Sequence, residues 1–472
     1  MIENLKPYPE YKDSGLPWLR EVPAHWEIAR SKRLFKQRKD FAQPDDQQLS
    51  ATQAYGVIPQ ALYEKRTGYR VVKISMHLDK RKHVEADDFV ISMRSFQGGL
   101  ERAWASGAIR SSYVVLKPIA DVVPGYFQYL FKSHQYINAL RATSDFIRDG
   151  QDLNFGNFCG VDLPIIPLQE QAAIARFLAW ATNRLDRAIG AKRRIIALLQ
   201  EQKQAIIHRA VTRGLDPSVP LKDSGIPWLG EIPEHWEVWR ISRFAVVGNG
   251  STPSRGEPRF WVGGTYPWLN SAQINRGQID SADQFVTSTA LRDCHLPKVK
   301  QGSILVAITG QGKTRGMSAV LAVEATISQH LAFITPRTPI ASSDFLNLAM
   351  TAAYSQLRAI SEDSGSTKGA LTCEDIKRFH LPIPPENVQT DLINCVKLQT
   401  DGILKSIAHH EREITLLREY RTRLVADVVT GKLDVREVAA GLPEEIQSDD
   451  VQDATEEDLD LDAEDEVPEN LA

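Results

Sequence analysis

This chain of 472 residues contains no run of about 18 apolar residues, so nothing in it reads as a membrane-spanning helix. Its opening, MIENLKPYPEYKDSG, lacks the apolar core of a signal peptide. Both observations lead to the expectation of a protein of the cytoplasm. Cysteine is scarce. The four cysteines, Cys159, Cys294, Cys373 and Cys395, are scattered and form no CxxC. Reduced thiols fit that spacing, and it argues against a disulfide framework or a thiolate metal site. The histidines form no HExxH, and His409 and His410 point to different faces of a helix.

Catalytic signatures are missing as well. The run AITGQGKT at 307–314 invites comparison with a phosphate-binding loop, but its leading glycine is replaced by Ala307. The next residues, RGMSAVL, read as a turn into a strand, whereas such a loop must open a helix whose N-terminus faces the phosphates. No glycine-rich dinucleotide turn follows a strand. Pro384-Pro385 is followed by Glu and Asn, which removes the Asn/Asp-Pro-Pro-aromatic motif of amino-methyltransferases. Carboxylates near lysine (Asp79/Lys80, Glu64/Lys65, Asp87) lack nuclease spacing, and no Ser/His/Asp arrangement emerges. The expectation is a chain with no catalytic residue, no metal and no cofactor of its own.

Charge is present but segregated. From Glu444 onward there are fourteen acids and no Lys or Arg; without them the net charge moves from −4 to +10. The tail, 433–472, reads as acidic and disordered. A basic body suits a polyanionic partner, although a surplus of this size also occurs in proteins that never touch nucleic acid.

Repetition is the dominant signal. Residues 12–30, KDSGLPWLREVPAHWEIAR, and 222–240, KDSGIPWLGEIPEHWEVWR, share 13 of 19 positions at an offset of 210. Residues 163–216 and 381–434 align without a gap at an offset of 218. The order is globular unit (1–163), helix (164–214), globular unit (215–381), helix (382–432), tail. Prolines 164, 167, 382, 384 and 385 mark the helix starts, and Gly214 and Gly431 mark the stops.

Each helical segment carries a heptad. The first has seams Leu185, Lys192, Leu199, Ile206 and Ile189, Ile196, Lys203, Ala210. The second has Ile403, His410, Leu417, Leu424 and Ile407, Ile414, Arg421, Val428. Spacing of this kind is the coiled-coil pattern. A helix of roughly 45 residues is about 65 Å long and cannot bury its stripe inside a small domain. The two helices are therefore expected to pack on each other, antiparallel, with Lys192, Lys203, His410 and Arg421 setting register. Ordinary amphipathic helices lying on separate domains are the plainer alternative. The globular units read as α+β, with strands at 69–74, 89–93, 113–116, 304–308, 319–323 and 331–334 and helices at 125–142 and 343–361. The recurring Trp18, His25 and Trp26 (Trp228, His235 and Trp236 in the second copy) read as packing anchors of the shared frame.

These motifs together resemble the specificity subunit of type I restriction-modification systems. The likeness covers residues 12–434. It rests on the twice-used SGLPWLREVPAHWE and SGIPWLGEIPEHWE, on Leu-Pro-x-x-Pro with Gln169-Glu170-Gln171, on GSTP…FWVGGTYPWLNSAQI at 250–274, and on GSTKGALTCEDIKRFHLPIPP at 365–385. The second copy departs by having Glu386-Asn387-Val388-Gln389, and the first by having DGQDLNFGNFCGVDLPIIP.

The resemblance implies two tandem α/β target-recognition domains related by a pseudo-twofold and linked by two long helices in an antiparallel coiled coil. It implies a non-catalytic subunit that reads a bipartite, asymmetric site in double-stranded DNA, with the helices as a ruler. The partners implied are two adenine-methyltransferase subunits and restriction-translocase subunits, which would carry S-adenosylmethionine, ATP and Mg2+ in a bacterial or archaeal cytoplasm. Two domains on one face of a duplex sit about 34 Å apart or a multiple of it, within the reach of such helices. Base readers are expected among Arg94, Gln97, Arg102, Ser112 and Tyr113 in the first domain and Asn270, Gln273, Gln311, Lys313, Arg315 and Lys368 in the second. A stand-alone bipartite-site regulator, an orphan methyltransferase specificity subunit without nuclease, and a self-sufficient DNA-modifying enzyme are the competing readings.

Overall fold

The computed structural model describes residues 5–71, 80–92, 95–119, 121–143, 153–310, 313–337, 340–363 and 369–443. Two compact units emerge, one built from two separate stretches of the chain and the other from a single continuous stretch. Unit 1 joins the residues up to Arg193 to those from Glu411 onward, and unit 2 is Arg194–His410. Each unit thus holds one sheet domain and portions of both long helices. The molecule is mixed α/β.

In unit 1 a four-stranded antiparallel sheet runs Phe35–Arg38, Val114–Pro118, Phe89–Ile91, Glu101–Arg102. Strand alternation sends Phe35, Phe89 and Leu116 to one core and Val90 and Val115 to another. The first core is aromatic: Phe35 lies 5.1 Å from Phe127 and 5.8 Å from Phe158, both edge-to-face. Helices Pro124–Phe131 and His134–Arg141 pack on it.

In unit 2 the sheet has five strands in the order Ala245–Asn249, Leu331–Pro336, Ile304–Ala307, Ser318–Leu321, Gln278–Ile279. Ile304, Val306 and Ile334 face helices Ser343–Ala352 and Tyr354–Asp363, while Leu305, Ala307 and Ala319 face a second core. The strands expected at 89, 113, 304, 319 and 331 and both helical regions are present. The expected strand at 69–74 is not: Tyr69–Val71 is irregular, and the remainder lies outside the described residues.

The long helices are Leu168–Arg213 and Glu386–Val429. Both begin four residues later than the prolines suggested. Asp162–Ile165 and His380–Ile383 are strands, with Pro164 paired to Ile28 and Pro382 to Val238. A two-stranded ladder tolerates proline on its open edge, so these prolines end a strand rather than open a helix.

The first turn of each long helix is pinned by the same residue. Buried Gln171 accepts from Val123 N at 2.8 Å and donates to Asp121 O and Ile166 O, both at 2.8 Å. Buried Gln389, its equivalent at the 218 offset, accepts from Ser342 N at 2.9 Å and donates to Ile340 O at 2.6 Å and Pro384 O at 3.0 Å.

The repeated tryptophans are packing anchors, as their repetition suggested. Trp26 and Trp236 are buried, and each receives the left-handed glycine that ends a long helix: Gly431 in unit 1 and Gly214 in unit 2. The copies differ at Glu170. This buried carboxylate accepts from the Tyr8 hydroxyl at 2.6 Å and Trp26 Nε1 at 2.9 Å and lies 2.7 Å from His25 Nε2. The second copy has Val388 there.

The apolar seam positions Leu185, Ile189, Ile403, Ile407, Ile414 and Leu424 are buried, and Ile196, Leu199, Ile206 and Leu417 half-buried. Within unit 1, Lys192 pairs with Glu413 at 2.7 Å and Asp186 with Arg421 at 3.5 Å. The helix positions rise on one side as they fall on the other, so these two segments run in opposite directions.

Candidate nucleic-acid interface

Sheet order in unit 2 gathers three loops at one edge. Ala307 pairs with Leu331, and Asn249 with Ala332. The loops that follow Asn249, follow Ala307 and precede Leu331 therefore emerge together. Backbone bonds fix them to one another: Ser251 N donates to Ile327 O and Ile308 N to His330 O, both at 3.0 Å. Gly250 permits this close approach, since a Cβ there would lie 1.7 Å from Ile327 O.

Four polar side chains at this edge bond to one another. Gln329 and His330 are exposed, Thr252 and Thr309 half-buried. The Thr252 hydroxyl donates to Gln329 Oε1. Gln329 Nε2 lies 3.3 Å from His330 Nε2, and His330 Nδ1 lies 2.7 Å from Thr309 Oγ1. Sequence reasoning fixed on the glycine-rich loop that supplies Thr309 and passed over the other two loops.

The expected readers of the second domain divide. Gln273 is buried, and its Oε1 accepts from Asn270 N at 3.3 Å while the Asn270 side chain accepts from Ala272 N at 2.9 Å. The two form a capping box, which turns the Gln273 side chain into the frame of the turn. Arg315 is likewise turned inward. Its guanidinium is buried, donating to Gly369 O at 2.7 Å and to Glu362 at 3.2 Å, so it ties the glycine-rich loop to the helix beneath. Lys313 is exposed, and its carbonyl accepts from the Tyr354 hydroxyl at 2.7 Å. Gln311 and Lys368 lie outside the described residues.

In the first domain Arg94 lies outside the described residues. Gln97 and Ser112 are exposed and Tyr113 half-buried. Arg102 is held internally by Asp87, at 2.5 Å, and Gln128, at 3.0 Å, and stacks 4.4 Å from the Trp104 ring.

The dense run of cations at 30–39 was not singled out in the sequence. Arg30, Lys32, Arg33, Lys36 and Lys39 are all exposed, and none forms an ion pair with an acid among the described residues. Lys36 stands directly across the ladder from Lys117. Like charges so placed repel, and an anion above them relieves the repulsion. At the matching positions unit 2 has Arg240, Ser242, Arg243, Val246 and Asn249.

The two copies share a frame and differ in the loops it carries. Residues 233–398 match the family model described as the type I restriction modification DNA specificity domain. The chain is 23% identical over 205 residues to the type I restriction enzyme EcoR124I/EcoR124II specificity subunit of Escherichia coli, covering 43% of this chain and 47% of that one. It is 30% identical over 194 residues to the MjaIX specificity subunit of Methanocaldococcus jannaschii, covering 38% and 43%. The chain thus spans under half the length of these two relatives.

A solved structure from work on complex assembly and conformational transition of the type I R-M system shares the fold. Its TM-score is 0.58 at 15% identity, over 87% of this chain and 99% of that one. The likeness to type I specificity subunits read from the repeated motifs is borne out by these matches.

Proposed function

We propose that this chain is the DNA-reading specificity subunit of a type I restriction-modification complex, itself non-catalytic. Its two sheet domains act as target-recognition domains related by a pseudo-twofold. Its long helices pair as an antiparallel coiled coil that sets the spacer between two half-sites. The matched DNA specificity domain is the observation that carries this reading, because the same Pro-Trp/His-Trp frame and the same buried glutamine recur in unit 1. The opposed order of the Lys192–Glu413 and Asp186–Arg421 pairs supports the antiparallel arrangement.

Two methyltransferase subunits, which would hold S-adenosylmethionine, and restriction-translocase subunits, which would use ATP and Mg2+, are the partners, in the cytoplasm of a bacterium or archaeon. Among the described residues no helix is long and apolar enough to cross a membrane, and no group of three or more His, Cys, Asp or Glu is placed to hold a metal. The test is reconstitution. The chain with its methyltransferase partner transfers methyl groups to adenine at a bipartite site, and neither does so alone. Methylation by the chain alone contradicts the proposal. Binding to a bipartite site without recruiting a methyltransferase favours a stand-alone regulator instead.

A further inference from the structure

We propose that Gln329, held by Thr252 and His330, reads an adenine in the major groove of the half-site taken by unit 2. This deepens the DNA-reading function and rests on it. Three features of the edge carry the inference. First, the four side chains that bond to one another here are two hydroxyls, an amide and an imidazole, the types that address base edges, whereas phosphates are met chiefly by cations. Second, the three loops are locked by backbone bonds and by the close approach at Gly250, so the side chains stand on a rigid base.

Third, the hydrogen-bond chain has one direction. The Thr252 hydroxyl donates to Gln329 Oε1, and Gln329 Nε2 donates to His330 Nε2. His330 must then carry its hydrogen on Nδ1 and donate it to Thr309 Oγ1 at 2.7 Å. Bonds of this kind on an exposed surface compete with water and contribute little to folding. Their consequence is orientation. One N–H of the Gln329 amide is occupied by His330, and one lone pair of its oxygen by Thr252. The amide therefore retains one donor and one acceptor side by side, the pattern that complements adenine N7 and N6.

The experiment is selection from randomised duplex DNA by the full-length chain, alone and with its methyltransferase subunits. Wild type is expected to recover a bipartite sequence with a fixed A·T pair in one half. Gln329→Glu presents two acceptors, so preference at that single position should move to cytosine, whose N4 donates, with the other half-site unchanged. A changed preference cannot come from misfolding. Gln329→Ala should weaken binding to the parent sequence about tenfold to a hundredfold at fixed salt, with an unaltered salt slope. Unchanged preference in Gln329→Glu together with unchanged affinity in Gln329→Ala overturns the assignment and leaves the DNA-reading function standing. A wild-type chain that selects no sequence overturns that function, and this assignment with it.

Discussion

Gln171 and Gln389 make the same three hydrogen bonds in the two repeats, each joining the first turn of a long helix to the strand before it and to the loop ahead of a shorter helix. Both side chains are buried. Removing either amide leaves two carbonyls and one N–H without a partner, and a buried unsatisfied group costs about 1–3 kcal/mol. Gln171→Leu and Gln389→Leu are each expected to lower stability by at least 2 kcal/mol, roughly, when that cost is only partly relieved by water. Denaturant unfolding monitored by hydrogen exchange should place the effect of Gln171→Leu in unit 1 and that of Gln389→Leu in unit 2.

The glycines that end the long helices differ in tolerance. Both are left-handed, with φ of +71° at Gly214 and +80° at Gly431. A Cβ on Gly214 would meet Trp236 at 3.3 Å, whereas on Gly431 it would lie 2.4 Å from Pro23 Cδ and 2.9 Å from Trp26. Gly214→Ala should cost about 1 kcal/mol, the backbone penalty alone. Gly431→Ala adds overpacking of about 1–3 kcal/mol. Equal melting temperatures for the two variants would contradict this packing.

Lys36 and Lys117 stand opposite each other without an acid to separate them. Their replacement by Gln is expected to weaken binding uniformly across DNA sequences. The slope of log affinity against log salt should fall by about 1 for each phosphate that is no longer neutralised. A slope identical to wild type would place these two lysines away from the DNA. Folded stability should hold or rise, because the pair is repulsive.

Arg315 carries a different expectation from the exposed polar residues near it. Its guanidinium ties the 313–316 turn to Gly369 and Glu362. Arg315→Ala should therefore destabilise unit 2, and any drop in DNA affinity should be recovered at lower temperature. A variant with wild-type thermal stability and a changed base preference would restore Arg315 as a reader.

Much of the frame could be read before any coordinates, because it is periodic and copied. The heptads give Leu185, Ile189, Ile407 and Ile414 buried positions, and the repeated Trp26 and Trp236 are core anchors. Patterns of period seven or two are properties of order along the chain. Burial is not, which is why Gln273 and Arg315, both buried, read from the sequence as exposed readers. Pro164 and Pro382 looked like helix starts because a proline gives the same signal at the end of an edge strand. The Gln329–His330 edge was hidden for a further reason. Its residues come from three short loops separated by up to 78 positions (Thr252 to His330), and only the strand order of the sheet brings them together. Glu170 lies within a copied helix but is itself uncopied, so the repeat that exposed the frame concealed its partner.

The most direct test of the account is a map of methylated adenines in DNA from cells that carry this chain with the proposed methyltransferase partner, compared with cells in which the chain is deleted. The account predicts one asymmetric motif with two unlike halves and a fixed spacer, abolished entirely on deletion. Methylation that persists without the chain, or a single uninterrupted motif, would contradict it.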